Sequence, residues 1–188
     1  MKKIAKYVLK RVFKEYQINR IYSRDISGKL PDAISPTGIQ VGPIEKKEMI
    51  LLSSDTRIKE HAYYAGDHAH GYGIWEDDDL VCMCWFWGAG HERIPGRFAS
   101  LQPDEAIMVD LLTTEKCRGR GYAVLISQYA EKNLAAAGIN QLWTWVWHNN
   151  SPSIRVFEKL GWVYRGILVE VKFAGMKDFL RFKLPRLK

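Results

Sequence analysis

The hydrophobic pattern changes period along the chain, and each change marks an element. Near the start, Ile4, Val8, Val12 and Tyr16 recur every fourth residue with Leu9 and Phe13 beside them, which predicts an amphipathic helix with a cationic outer face, and residues 1–22 are expected to hold this helix and a first strand region. Residues 23–45 carry Gly, Pro and Ser without periodicity and are expected to form a long loop or flap. Ser54 or Asp55 can cap a helix running to about Ala65, where Gly66 stops it. From His70 the period becomes two. HGYGIWEDDDLVCMCWFWG is a pair of aromatic and β-branched runs joined by an acidic turn, the pattern of a hairpin. A second loop, 88–104, leads into a strand at 105–113. A helix from Gly121 to about Ala137 ends at Gly138, a strand follows at 141–148, and a short helix runs from Ser151 to Leu160 before Gly161. Two strands near 162–173 and 178–184 close the pattern. Strands interleaved with helices, and hairpins at both ends, predict a mixed α/β sheet.

Composition narrows this picture. With 188 residues, 47% of them hydrophobic, the chain is long enough for one substantial core and short for two, so a single domain over 1–188 is expected. The start is charged throughout, without a basic tip followed by an apolar run, and no stretch of about 18 apolar residues occurs. These features, together with three cysteines that lack paired metal-site spacing, lead us to expect a cytoplasmic protein with reduced thiols. The net charge is +7. Residues 1–20 carry seven basic side chains against Glu15, and residues 172–188 carry six against Asp178, so the body between them is mildly acidic. A basic excess confined to the termini argues against a DNA-reading face, and no nucleic-acid partner is expected. The cationic first helix leaves open a weak contact with a membrane surface.

The segment with the most chemical content is IMVDLLTTEKCRGRGYAVLISQYAEKNLAAAG, an apolar strand running into a glycine-bearing turn and a helix. Gly119 and Gly121 remove side chains where a ligand must approach the backbone, and the helix start aims free N–H groups and a positive dipole end at it. An anion is the natural occupant. Arg118 and Arg120 add positive charge, while Tyr122, Leu125, Ile126, Tyr129, Ala130 and Leu134 form the stripe that anchors the helix. The spacing is neither that of a P-loop nor of a full dinucleotide fingerprint.

Arg118-Gly119-Arg120-Gly121-Tyr122-Ala123 resembles the R/Q-x-x-G-x-G/A signature of the GNAT superfamily of N-acetyltransferases. A second signature follows in the expected place. WTWVWHNNSPSIRVFEKLGW supplies a strand, Asn150, a short helix with Ser153 and Phe157, and a stop at Gly161 and Trp162. The clear resemblance covers about residues 105–172. It implies the GNAT-like fold, of the α/β (α+β) class, with a mixed, largely antiparallel central sheet flanked by helices. It also implies acyl-CoA in a V-shaped gap between the strands at 105–113 and 141–148. The pyrophosphate would rest on amides of Arg118, Gly119, Arg120, Gly121, Tyr122 and Ala123, and the pantetheine would pair with backbone at Leu111, Leu112 and Thr113. Asn150 and Ser153 would face the cofactor arm; the other reading of Asn150 is that it shapes the turn before Ser151, taken as the cap of the helix, with Pro152 in its first turn.

Transfer of acetyl to an amine needs a neutral amine, a polarised thioester and a stabilised leaving thiolate. Many family members place a Tyr where this chain has Phe157, and a phenyl ring donates no proton. Phe157 is expected to pack beside the cofactor, with Tyr164 as a substitute acid. Asp110 leads as the base because it lies on the strand the family uses for catalytic carboxylates; His148, ending the adjacent strand, is the second candidate. Trp143, Trp145 and Trp147 fall on one strand face, and Trp85 and Trp87 on another, as core packing or as an aromatic acceptor pocket. Asp67, His68 and His70, with His91, are read as a polar turn, so no metal is expected.

The resulting expectation is an enzyme that moves acetyl from acetyl-CoA to a primary amine of a small molecule by direct attack in a ternary complex, releasing CoA, as a monomer or homodimer. A longer-chain acyl-CoA transferase acting on a membrane-linked acceptor, or a non-catalytic CoA-binding module, are the alternatives.

Overall fold

The computed structural model describes residues 13–31 and 37–185. In chain order the elements are β1 (Phe13–Asp25), β2 (Ile39–Pro43), α1 (Lys46–Leu52), α2 (Thr56–Glu60), β3 (Ala69–Glu76), β4 (Asp79–Gly88) and β5 (Glu105–Thr113). They continue as α3 (Tyr122–Ala136), β6 (Gln141–Trp147), α4 (Ser151–Lys159), β7 (Val163–Phe173) and β8 (Leu180–Pro185). All eight strands join one sheet in the order β2-β3-β4-β5-β6-β1-β7-β8. Only β5 and β6 run parallel; every other neighbouring pair is antiparallel. The sheet is therefore mixed and largely antiparallel, flanked by helices, as expected.

The β3–β4 hairpin turns on Asp77 and Asp78, whose φ values of 48° and 63° fit the tight turn that suits the strand twist. Leu80 to Gly88 are all buried, so β4 reads as an unbroken apolar run because both of its faces are covered. Along it the side chains alternate. Cys82, Cys84 and Phe86 face α3 with Tyr122, Leu125, Ile126, Ala130 and Leu134. Met83 and Trp85 face the other way, against Met49 of α1 and Ile58 of α2. Trp87 continues that second face into a cluster with Ile21, Ile107 and Leu168 under Phe98. Each such fully buried large side chain contributes about 1.5–3 kcal/mol, so both layers are needed to hold the sheet.

Three expectations are corrected. The four-residue repeat at the start does not continue as a helix through Tyr16, because Phe13–Asp25 is a strand; residues 1–12, where the rest of that helix was placed, lie outside the described residues. β1 sits in the sheet between β6 and β7, so its hydrogen bonds are taken up on both sides. The stretch 23–45 is not all loop: β1 runs to Asp25, and Ile39–Pro43 forms an edge strand on β3. The α4 cap is Asn150, whose side chain accepts from Ser153 N, rather than Ser151. The helix at 54–65 is present as α2 with Asp55 as cap, followed by a tighter turn at His61–Tyr64.

Buried Glu131 ties the helices to the sheet. It accepts from Trp162 Nε1 at 3.0 Å and lies 3.5 Å from Arg24 of β1. Desolvation raises its pKa, and the Arg24 charge opposes that. Among the described residues, no helix is long and apolar enough to cross a membrane.

Candidate active site

The parallel pair is short. Glu105 to Met108 pair with Gln141 to Thr144, and the Thr144 hydroxyl donates to Met108 O at 3.0 Å; beyond that the strands part. Two clefts open there. One, of about 280 Å³, is lined by Met108, Val109 and Asp110 on one side and by Trp145, Trp147 and Phe157 on the other. The second, of about 670 Å³, runs from Leu111, Leu112 and Thr113 to Arg118, Gly119, Gly121, Tyr122 and Ala123. They share Leu111, Asn150 and Ser153, so they form one channel.

At the outer end of this channel Gly119 and Gly121 have φ values of 79° and 84°, a region that penalises any Cβ. A Cβ on either would meet nothing within 4 Å, so the turn is open on its outer side. Val124 and Leu125 N–H are the first to close onto Gly121 O, and the N–H groups ahead of them belong to the helix end that has no internal partner. The turn is held by Glu76, at the end of β3. Its carboxylate accepts from the Tyr122 hydroxyl, from Arg120 at 2.8 Å and from the Cys117 thiol at 3.3 Å. The Tyr122 hydrogen bond, then Cys117 and Arg120, hold Glu76 below the usual carboxylate range. Arg120 is thus a brace for the turn, whereas Arg118, mostly exposed, lies 3.8 Å from Glu115.

Asp110 owes its position to an irregularity in β5. Trp85 pairs with Asp110 and Phe86 with Met108, leaving Val109 unpaired in a bulge. The bulge turns both Val109 and Asp110 toward the face of α1 and α2. There Asp110 Oδ2 lies 2.8 Å from His61 Nδ1. The hydrogen bond to Asp110 raises the His61 pKa above its usual value, against the opposing effect of burial. Arg57, next to this turn, bridges Asp55 at 2.7 Å and Glu115 at 3.0 Å, fixing α2 to the loop before α3.

The other candidates fall as follows. Phe157 is buried between Tyr22 and Trp162, with ring centroids 5.8 and 5.2 Å away. Tyr164 packs against Tyr22 in the core and does not line either cleft. His148 follows β6 as an exposed residue, its N–H donating to Ile18 O, and it too lies outside both linings. Asn150 caps α4, the turn-shaping role read for it in the sequence, and it also lines both clefts. Trp143 and Trp145 pack on the face opposite α3, while Trp147 is 45% exposed. Cys82 is buried and pushed up to about 12, far from a thiolate. Among the described residues, no group of three or more His, Cys, Asp and Glu could hold a metal ion.

Three residues were missed in the sequence. His61 was hidden inside a helical pattern, 49 residues from the carboxylate that holds it. Arg155 and Lys159 both line the larger cleft from α4. Their spacing of four places them on one helix face beside Asn150, a signal that was available.

A sheet that opens at its one parallel pair, beside a helix that starts on a glycine turn, defines the GNAT-type class of fold. The chain belongs to the acetyltransferase (GNAT) family, whose model matches residues 42–162. These acetyltransferases are enzymes that use acyl-CoA. A GNAT-family acetyltransferase structure from Novosphingobium aromaticivorans DSM 12444 is similar at 19% identity and TM-score 0.56, covering 86% of this chain and 65% of that one. A GCN5-related N-acetyltransferase from Kribbella flavida is similar at 11% identity and TM-score 0.56, over 92% and 64% of the two chains. A tandem GNAT protein from the clavulanic acid biosynthesis pathway is similar at 13% identity and TM-score 0.60, over 94% and 59%. At these identities the likeness concerns the fold, and the chain spans less than two thirds of the length of each of these structures. No curated protein matches the chain.

Proposed function

We propose that the chain is an N-acetyltransferase that takes acetyl-CoA as donor and transfers the acetyl group to a primary amine of a small acceptor, by direct attack in a ternary complex. The observation that carries this reading is the continuous channel from the glycine turn of α3 to the parted ends of β5 and β6, with Asp110 and His61 beside its inner end. The fit is chemical as well as steric. The open turn offers main-chain N–H groups to a diphosphate, Arg155 and Lys159 add charge for further phosphate, and Leu111 to Thr113 offer strand backbone to an amide-bearing arm.

The donor supplies a thioester carbonyl. A bond forms between the amine nitrogen and that carbon, the carbon–sulfur bond breaks, and the released sulfur takes its proton from water because Phe157 has none to give. The proton lost by the amine passes to the Asp110–His61 pair. A proton on Nδ1 satisfies Asp110 and leaves Nε2 as the basic nitrogen.

The test is calorimetry with CoA followed by thiol release from acetyl-CoA over a panel of amines, amino sugars, amino acids and peptides. The expected results are one CoA site per chain, thiol release with at least one amine, and intersecting initial-rate lines. Parallel lines together with an acetylated protein mass would refute direct attack, and CoA binding without thiol release would leave only a binding module. Thermal shifts with acetyl-CoA and a long-chain acyl-CoA decide the donor; a larger shift with the long chain would overturn acetyl.

A further inference from the structure

A second cavity, of about 400 Å³, opens on the sheet face away from α3. Its floor is apolar, made by Ile21, Trp143 and Leu168, and the loop after β4 covers it with Phe98 and Leu101. Its rim is cationic, with Arg97 from that loop and Arg181 and Lys183 from β8. Buried Glu170, opposite Arg181 in the strand register, accepts from Arg97 and from Arg181 Nε, the latter at 2.9 Å. One carboxylate thus answers two guanidiniums, and Lys183 adds a third cation to the same face. The carboxylate that lines the cavity, Glu105, is already engaged by Trp143 Nε1 at 3.0 Å and Gln102 N at 2.9 Å.

Two buried polar atoms of this part of the sheet and its covering loop lack a hydrogen-bond partner among the described residues, and the first belongs to a residue that lines the cavity. Arg97 Nε is one. The other is Asn19 Oδ1, on β1 two residues from Ile21, opposite Leu168 on one side and Trp147 on the other. A buried donor and a buried acceptor left unsatisfied each carry a desolvation cost, which a ligand bringing the complementary groups would recover. The cavity also adjoins the reaction channel. The Arg97 guanidinium lies 4.8 Å over the Trp145 ring, and Trp145 and Trp147 line the gap that holds Asp110.

We propose that this cavity binds the acceptor, and that the acceptor is an amine with an apolar body and a carboxylate, of the amino acid class. The carboxylate meets Arg97 and Arg181, the body lies on Trp143 and Leu168, and the amine points past Asn19 and Trp145 toward the gap. This inference rests on the acetyl-transfer reading, which supplies the amine. A purely structural Arg97–Glu170–Arg181 clamp for the loop would explain the ion pairs but would not discriminate between amines.

The experiment compares phenylalanine with phenethylamine, and leucine with isopentylamine, at saturating acetyl-CoA. The native chain is expected to favour the carboxylated amine by about 10-fold or more in kcat/KM, the range of a charge-assisted contact. Arg181→Gln, on the exposed edge strand, should raise KM for the carboxylated amine by about 10-fold and so narrow the preference for it over the decarboxylated amine by about the same factor. A second readout needs no turnover: N-acetylphenylalanine should quench the tryptophan fluorescence of the native chain at lower concentration than that of Arg181→Gln. Equal kcat/KM for the two amines, or quenching unchanged by the substitution, overturns the site. A chain that releases thiol only with amines lacking a carboxylate keeps the transfer reading and loses this one. Quenching without thiol release from any amine overturns the acceptor role and the transfer together.

Discussion

Gly121→Asp separates two physical effects that the turn before α3 combines. At φ 84° any Cβ is strained, and the left-handed region costs a residue with a side chain about 1–2 kcal/mol. Nothing lies within 4 Å of that Cβ, so no clash with the protein adds to the strain. Gly121→Ala should therefore lower the melting temperature by several degrees, and whatever CoA affinity it loses measures the crowding of the ligand by the added Cβ alone. The aspartate adds a negative charge facing the place where the diphosphate is expected. At about 5 Å, one unit charge against another is worth about 3 kcal/mol at an effective dielectric constant of about 20, and about 1 kcal/mol if water screens it fully. Because the turn is open to solvent, the loss relative to Gly121→Ala should fall between these limits, about 5-fold to 150-fold in Kd.

Calorimetry with CoA at low and high salt measures this, and the difference between the two variants should shrink as salt rises. Gly138 provides an internal control. It ends α3 at φ 88°, with nothing within 4 Å of its Cβ, and it lies away from the channel. Gly138→Ala should reproduce the thermal loss of Gly121→Ala and leave CoA binding untouched. If Gly121→Asp bound CoA as well as Gly121→Ala does, no diphosphate would sit at this turn, and the donor half of the proposed function would fail.

Two further predictions concern the inner end of the channel. The hydrogen bond to Asp110 raises the His61 pKa, so Asp110→Asn should move the acidic limb of the kcat/KM profile to lower pH, with a fall in plateau rate of about 100-fold or more. The sign extends to stability: the His61–Asp110 pair stabilises the fold below the unfolded histidine pKa and loses that contribution as pH rises through the higher folded value, a dependence Asp110→Asn should flatten. A limb that stays in place would remove His61 from the reaction. Phe157→Ala should destabilise by about 3–5 kcal/mol, read from the denaturant midpoint, because the ring is enclosed by Tyr22 and Trp162. Its acidic limb should not move, and a shifted limb would show that Phe157 controls the titrating group.

What could be read from the sequence was whatever a short stretch of chain encodes by itself. The glycine turn and α3, the Asn150 cap and α4, and the acidic hairpin each depend on residues within one or two turns of one another. β1 failed that condition. A repeat of every fourth residue suits a helix of 3.6 residues per turn and equally suits every second position on one strand face, so Val12 and Tyr16 could not distinguish the two. What decides for a strand is the pair of partners, β6 and β7, that complete its ladder from more than a hundred residues away. β2 was lost for a related reason: five residues between glycine and proline signals carry too few alternations to count.

Asp110 and His61 illustrate the same limit at the level of chemistry. The sequence placed Asp110 on the right strand, yet alternation alone cannot say which face it occupies, since one unpaired residue reverses the pattern downstream. The bulge at Val109 makes that reversal, and only then does Asp110 reach His61. The same bulge lies where β5 parts from β6, one residue past the last paired position. The main chain therefore leaves the ladder at the point where the carboxylate turns toward α2. Under the proposed function these are two consequences of one irregularity, because a donor arm running along β5 needs unpaired backbone and an acceptor amine on the opposite face needs a base there. Deleting Val109 would remove the bulge yet leave Asp110 opposite Trp85 and on the face of His61, so that deletion tests the parting of the strands separately from the placing of the carboxylate.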